Sequence, residues 1–164
     1  MTAAKSIARR GFSLIELVIV IVIIGIIAAI AIPRMSRGST GASESSLRAS
    51  LAVMRNAIEL YTTEHENEPP TVADIVDQLT MYSDVSGATN ASPDSTHIFG
   101  PYIREIPKLP IKGDPDRRGQ SGIAAADAPT VGWIYTVNAT TKAWTFGANA
   151  GSQRDSRGEP FTDY

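Results

Sequence analysis

Apolar side chains run from position 12 to position 32, FSLIELVIVIVIIGIIAAIAI, and the single ionisable residue among them is Glu16. Those 21 residues reach about 31 Å as a helix at roughly 1.5 Å per residue, the depth of a bilayer core. The run therefore predicts a membrane-spanning helix. Past it the pattern becomes one-sided. After a small Ser/Gly-rich patch, Ser36 to Ser46, apolar residues recur at Leu47, Leu51, Met54, Ile58 and Tyr61. Spacings of 4, 3, 4 and 3 define one face of a helix that packs on a sheet. Pro69-Pro70 must stop that helix, because proline has no N–H to give and its predecessor avoids the helical region. One long helix over 12–66 is predicted, with weak points at Gly25, Pro33, Gly38 and Gly41.

Thr71 and Asp74 stand three apart, as in a capping box, and open a short second helix whose apolar face is Ile75, Val76 and Leu79 and which ends by Tyr82. Residues 83–97 are turn-formers and predict an exposed loop. Pro107, Pro110 and Pro115 make the following stretch extended but not a sheet interior, and residues 112–129 read as a second, mobile loop. Val131, Trp133, Tyr135 and Val137 alternate as one face of a strand, and Lys142–Phe146 is its partner across the four-residue loop Asn138–Thr141. Trp133 and Trp144 are assigned to core or cross-strand packing. The tail, Gly147 to Tyr164, has no periodicity and reads as solvated and locally charge-balanced. The fold class is α+β, with a long N-terminal helix, half membrane-spanning and half amphipathic, on a small antiparallel sheet.

Composition narrows the chemistry. The chain of 164 residues has 15 Lys+Arg against 17 Asp+Glu, a net charge of -2, which is not that of a bulk nucleic-acid binder. It has no cysteine, so disulfides, thiolate metal sites and cysteine nucleophiles are excluded. The two histidines exclude a multi-histidine metal centre; His65 reads as a cation at a helix C-terminus and His97 as a loop residue. Lys108, Lys112, Arg117 and Arg118 sit beside Asp114 and Asp116 and read as a solvated loop, without the aromatic interleaving of a nucleic-acid surface. Glu44 and Arg48 can pair at i, i+4 for a few tenths of a kcal/mol. No catalytic constellation is found.

Residues 1–11, MTAAKSIARRG, carry Lys5, Arg9 and Arg10 and no acid. A basic stretch before an apolar one starts a targeting segment whose basic end stays in the cytoplasm, leaving residues 33–164 outside it. Glu16 costs about 2.5–3.5 kcal/mol at a membrane centre and less near the edge, so it calls for a partner.

The segment RRGFSLIELVIVIVIIGIIAAIAIP, residues 9–33, resembles the N-terminus of type IV pilins and of type II secretion pseudopilins. The resemblance implies a leader, 1–11, cut by prepilin peptidase between Gly11 and Phe12, and N-methylation of Phe12. It also implies a polymerisation helix, 12–32, and an extracytoplasmic pilin-like domain, 33–164. Glu16 would pair with the Phe12 amine of a neighbouring subunit and set register; Pro33 would kink the helix and Gly25 would let it loosen in a filament. Gly100-Pro-Tyr-Ile…Pro110 and the GWIY…W hairpin are similar to stretches of major pseudopilins, and the absence of cysteine departs from type IVa pilins, which close a C-terminal loop with a disulfide. The function implied is that of a structural subunit and not an enzyme, most directly of a type II secretion pseudopilus. The alternatives are a surface type IV pilin for adhesion or motility, or a minor pilin that is a tethered binding module, as in DNA uptake. Partners would be other copies in a helical filament, the inner membrane, prepilin peptidase, an assembly platform and minor pilins, with no nucleic acid and no resident cofactor expected. Calcium is the one ion the family raises, with Asp155, Glu159 and Asp163 as candidate ligands, but Arg154 and Arg157 lie among them and the family's run of acids is not reproduced.

Overall fold

Two kinds of apolar patterning make two units. The computed structural model describes residues 12–113, 115–161 and 164, with the backbone alone for 31–38, and the chain divides between Ser39 and Thr40. Helix α1 is Leu14–Glu64, close to the predicted 12–66. From Leu14 to Ile30 the helix is apolar all round save Glu16, and fourteen large apolar side chains from Phe12 to Ile30 are exposed. Gly25 lies within regular helix, with open space where a Cβ would be. Pro33, where a kink is expected, lies inside α1; its side chain lies outside the described residues.

The second unit, Thr40–Tyr164, is built on the amphipathic part of α1. Leu47, Leu51, Met54, Ile58 and Tyr61 are all buried, as the 4-3-4-3 spacing predicts. The helix ends when Glu66 and Asn67 enter the left-handed region (φ 55° and 64°), and the Asn67 N–H closes back on the Thr62 carbonyl at 2.9 Å. Helix α2 is only Ile75–Thr80. The Asp74 N–H does bond Thr71 Oγ1 (3.1 Å), but Asp74 Oδ2 accepts the Thr71 hydroxyl (2.8 Å) while the Thr71 N–H goes to Gln78 Oε1 (2.9 Å), so half of the capping box is made and it closes a turn that precedes the helix instead of starting it.

The sheet is more mixed than expected. Strands β1 (Tyr82–Ser83) and β2 (Thr89–Asn90) form a small antiparallel ribbon within the segment read as a loop. Strands β3 (Gly122–Ala124), β4 (Val131–Val137) and β5 (Trp144–Ala148) lie in the order β3-β4-β5. β4–β5 is the predicted antiparallel hairpin, with Tyr135 opposite Phe146, but the loop between them is longer, residues 138–143. β3 runs parallel to β4, so residues 122–124, within the stretch read as a loop, belong to the sheet. Gly132 permits this packing, since a Cβ there would lie 2.3 Å from the Gln120 carbonyl oxygen.

Trp133 stacks on Phe146 (5.5 Å between centroids) and gives its indole N–H to the Pro107 carbonyl at 2.7 Å. The proline-punctuated stretch thus serves the core, and Leu109 and Ile111 are buried with it. Trp144 is half-buried against the same cluster; its cross-strand partner is Val137, not Trp133. Gly100 adopts φ 72°, where a Cβ would lie 2.7 Å from the Met81 carbonyl oxygen, and the next two N–H groups, Tyr102 and Ile103, bond the Leu79 carbonyl (2.9 and 3.1 Å).

His65 is core, not an exposed helix-end cation. It stacks on Tyr61 at 3.8 Å, donates from Nδ1 to the Tyr61 carbonyl (2.8 Å) and meets Ser83 Oγ through Nε2 (3.0 Å). Burial, with the Asp84 and Asp74 carboxylates, pushes the Tyr61 phenol from 10.0 up to about 12. A group raised in the folded state stabilises it fully below its unfolded value and ceases to as pH rises through the folded one. Thermal stability is therefore expected to fall between pH 10.0 and about 12, and Tyr61→Phe should flatten that part of the profile. An unchanged slope in the variant would assign the alkaline loss elsewhere.

Candidate assembly segment

From Leu14 to Ile30 the first unit presents a helix with no polar side. A soluble helix keeps charged residues on its outer face, whereas one that is apolar all round belongs in a core or a lipid phase. Phe12 is 79% exposed and the side chains to Ile30 are close to half exposed or more, save Ala28. Full burial of such a side chain is worth about 1.5–3 kcal/mol, so fourteen partly exposed ones leave roughly 10–20 kcal/mol unrealised until something covers them. Glu16 lies in the first turn, where its Oε2 accepts the Ser13 backbone N–H at 3.0 Å. A carboxylate at a helix N-terminus is favourably placed against the dipole. Glu16 and Phe12 are thus both at the exposed start of α1. Gly11 lies outside the described residues.

Residues 7–32 match the prokaryotic N-terminal methylation motif. This is the prepilin-type signal of type IV pilins and pseudopilins. The motif supports a type IV pilin-like protein, a structural subunit handled by prepilin peptidase and assembled into filaments. It also indicates an N-terminus anchored at a membrane. Among the described residues, no helix is long and apolar enough to cross one; the side chains of Ala31 and Ile32, the last of the expected span, lie outside them. No curated protein and no solved structure matches the chain.

The C-terminal loop is the second place where sequence raised a site. Asp155 is buried, and both its oxygens are taken. Oδ1 accepts the Arg157 and Glu159 N–H groups at 2.8 Å each. Oδ2 accepts Arg157 Nε at 3.1 Å and the Tyr164 hydroxyl, with Arg48 Nη2 3.6 Å away. The Tyr164 hydroxyl and these donors hold the Asp155 carboxyl well below the usual carboxylate range. Glu159 contributes its backbone, and Asp163 lies outside the described residues. Among the described residues, Asp155 is already met by two guanidiniums, Arg48 and Arg157, so the donors there do not fit a calcium ion, which needs oxygens. Among the described residues, no group of three or more acids or histidines is placed to hold a metal.

Other sequence candidates fall into structural roles. Arg117 forks onto Asp127 (3.0 and 3.1 Å), and Asn149 ties Asp127 to the Val131 carbonyl (2.7 and 2.8 Å). Asn149 and Arg117 draw the Asp127 carboxyl down. Asp114 lies outside the described residues. His97 donates its N–H and Nδ1–H to Asp94 (2.8 Å each), closing the turn before Phe99. Glu44 and Arg48 do not pair with each other: both reach to the C-terminal loop. Sequence reading missed that role, though Glu44, Arg48 and Arg55 share one edge of the apolar stripe.

Proposed function

We propose that this chain is the subunit of a type II secretion pseudopilus, held in the inner membrane by residues 12–32 with the basic leader in the cytoplasm and residues 33–164 outside. Prepilin peptidase cuts between Gly11 and Phe12 and methylates the new Phe12 amine. Assembly then moves the subunit from lipid into a helical filament of its own copies, with the assembly platform and minor pilins as further partners. The observation that carries the reading is the combination of the methylation motif with an exposed helix that is apolar on every side. Such a helix must be covered by lipid or by other apolar helices, and a filament exchanges the first cover for the second.

Glu16 supplies the register. A lone carboxylate is costly in an apolar bundle, whereas a carboxylate beside a neighbour's Phe12 amine is neutralised. In the single chain its partner is the Ser13 N–H, and assembly replaces that contact. Pro33 and Gly25 supply the bend and the local loosening that let the helix follow a filament. The absence of cysteine and the Gly100–Pro110 and GWIY segments favour a pseudopilus over a surface pilus.

Intact-mass analysis of protein from membranes and from sheared filaments tests this. The expected species starts at Phe12, carries one added methyl group, and occurs in the sheared fraction. Full-length chain confined to membranes would leave residues 33–164 as a tethered binding domain. Processed chain on surface pili of a strain lacking type II secretion would favour the adhesion or motility alternative.

A further inference from the structure

We propose that the C-terminal loop, residues 149–161 with Tyr164, is fastened to α1 by a metal-independent side-chain clasp built on Asp155, Glu44 and Tyr164. The inference is independent of the filament reading. It begins from a helix face. Glu44, Arg48 and Arg55 are spaced by four and seven residues, so they project from the same side of α1, and each binds the C-terminal loop. Glu44 accepts the Ser156 N–H (2.8 Å) and hydroxyl (2.9 Å). Arg48 donates to the Tyr164 hydroxyl (2.7 Å) and lies 4.7 Å over its ring. Arg55 donates to the carbonyls of Phe146 (3.2 and 2.8 Å) and Tyr164.

The Tyr164 hydroxyl links the two sides. It accepts from Arg48 and donates to Asp155, so one phenol relays α1 to the loop's own carboxylate. Asp155 in turn orders the 155–159 turn through two backbone N–H groups. Arg154 completes the loop by donating to the Gly158 carbonyl at 2.7 Å. Beneath the clasp Phe161 is buried and packs edge-on against Tyr164 at 5.5 Å. The charged groups that face Asp155 are Arg48 from α1 and Arg157 from the loop, with Tyr164 as the phenol; Glu44 and Arg55 flank them. A cation entering this site would have to displace a guanidinium already paired with the same carboxylate. Closure is therefore set by the Asp155 charge and the Tyr164 hydroxyl, and not by metal ions.

Hydrogen exchange of the full chain in detergent micelles tests the clasp. Wild type, Tyr164→Phe and Asp155→Asn are compared, each with chelator and with millimolar calcium. In Tyr164→Phe, exchange across 155–159 should rise about tenfold or more, as expected for loss of one hydrogen bond to a charged group, while β4 stays protected. Chelator and calcium should leave the wild type unchanged. If Asp155→Asn also loses β4 protection it has unfolded, and Tyr164→Phe, which deletes one hydroxyl, decides. Wild-type protection of 155–159 that calcium strengthens or chelator weakens would overturn the proposal, as would wild-type exchange in Tyr164→Phe.

Discussion

Glu16→Ala is expected to leave the chain cut and methylated at Phe12 but to remove it from sheared filaments. Taking away one partner of a charge pair in apolar surroundings costs about 3–5 kcal/mol, because the other charge is left buried alone. That corresponds to a loss of about a hundredfold or more of assembled subunit at equilibrium, since about 1.4 kcal/mol is tenfold. In the single chain Glu16 makes one exposed bond, to the Ser13 N–H, so the folding of residues 40–164 should be untouched. Glu16→Asp, which keeps the charge on a shorter arm, should restore part of the filament. Wild-type amounts of sheared Glu16→Ala protein would remove the register role and leave Glu16 as a helix-start residue.

The second large effect is expected in the soluble unit. Trp133 is fully buried, stacked on Phe146 and bonded to the Pro107 carbonyl. Trp133→Ala should cost about 3–5 kcal/mol through the cavity it leaves, a large part of the 5–15 kcal/mol typical of a whole domain. The orphaned Pro107 carbonyl adds to this. Trp144→Ala, at a half-buried position near the sheet edge, should cost clearly less. Denaturant melts of the full-length variants in detergent would read both. Equal, small shifts for the two tryptophans would mean that Trp133 does not hold the proline stretch to the sheet.

The elements that sequence predicts well are those whose signal is local. The 4-3-4-3 stripe on α1, the stop near Pro69-Pro70 and the alternating strand β4 all appear where the pattern places them. Errors fall where a partner distant in sequence decides. β3 is three residues with no alternation of its own; it is a strand because Gly132 lets another backbone come close to β4. The 83–97 segment is rich in turn residues, yet its Asp84 turn joins β1 to β2. His65 carries the signature of a helix end, but Ser83, Phe99 and Tyr102 cover it. The Glu44–Arg48 pair is a local expectation that failed, because Ser156 and Asp155 offer each residue a partner that i, i+4 geometry cannot reveal.

For this chain the sequence by itself determined the apolar segment, its lone acid and the processing signal. Those depend on side-chain identity along one helix, and a helix places residues by spacing alone. The amphipathic stripe and the β4–β5 hairpin are of the same kind. Only the tertiary structure decided the fate of the C-terminal loop. Its acids read as a solvated tail or a weak ion site until folding brings Glu44, Arg48 and Arg55 of α1 against Ser156, Asp155 and Tyr164, about a hundred residues further on. A carboxylate's chemistry is set by the donors that reach it: Asp155 takes its hydrogen bonds from Arg157, Glu159 and Tyr164 in its own loop, whereas Arg48 and the Glu44–Ser156 contact join that loop to α1 across a separation that no local pattern spans.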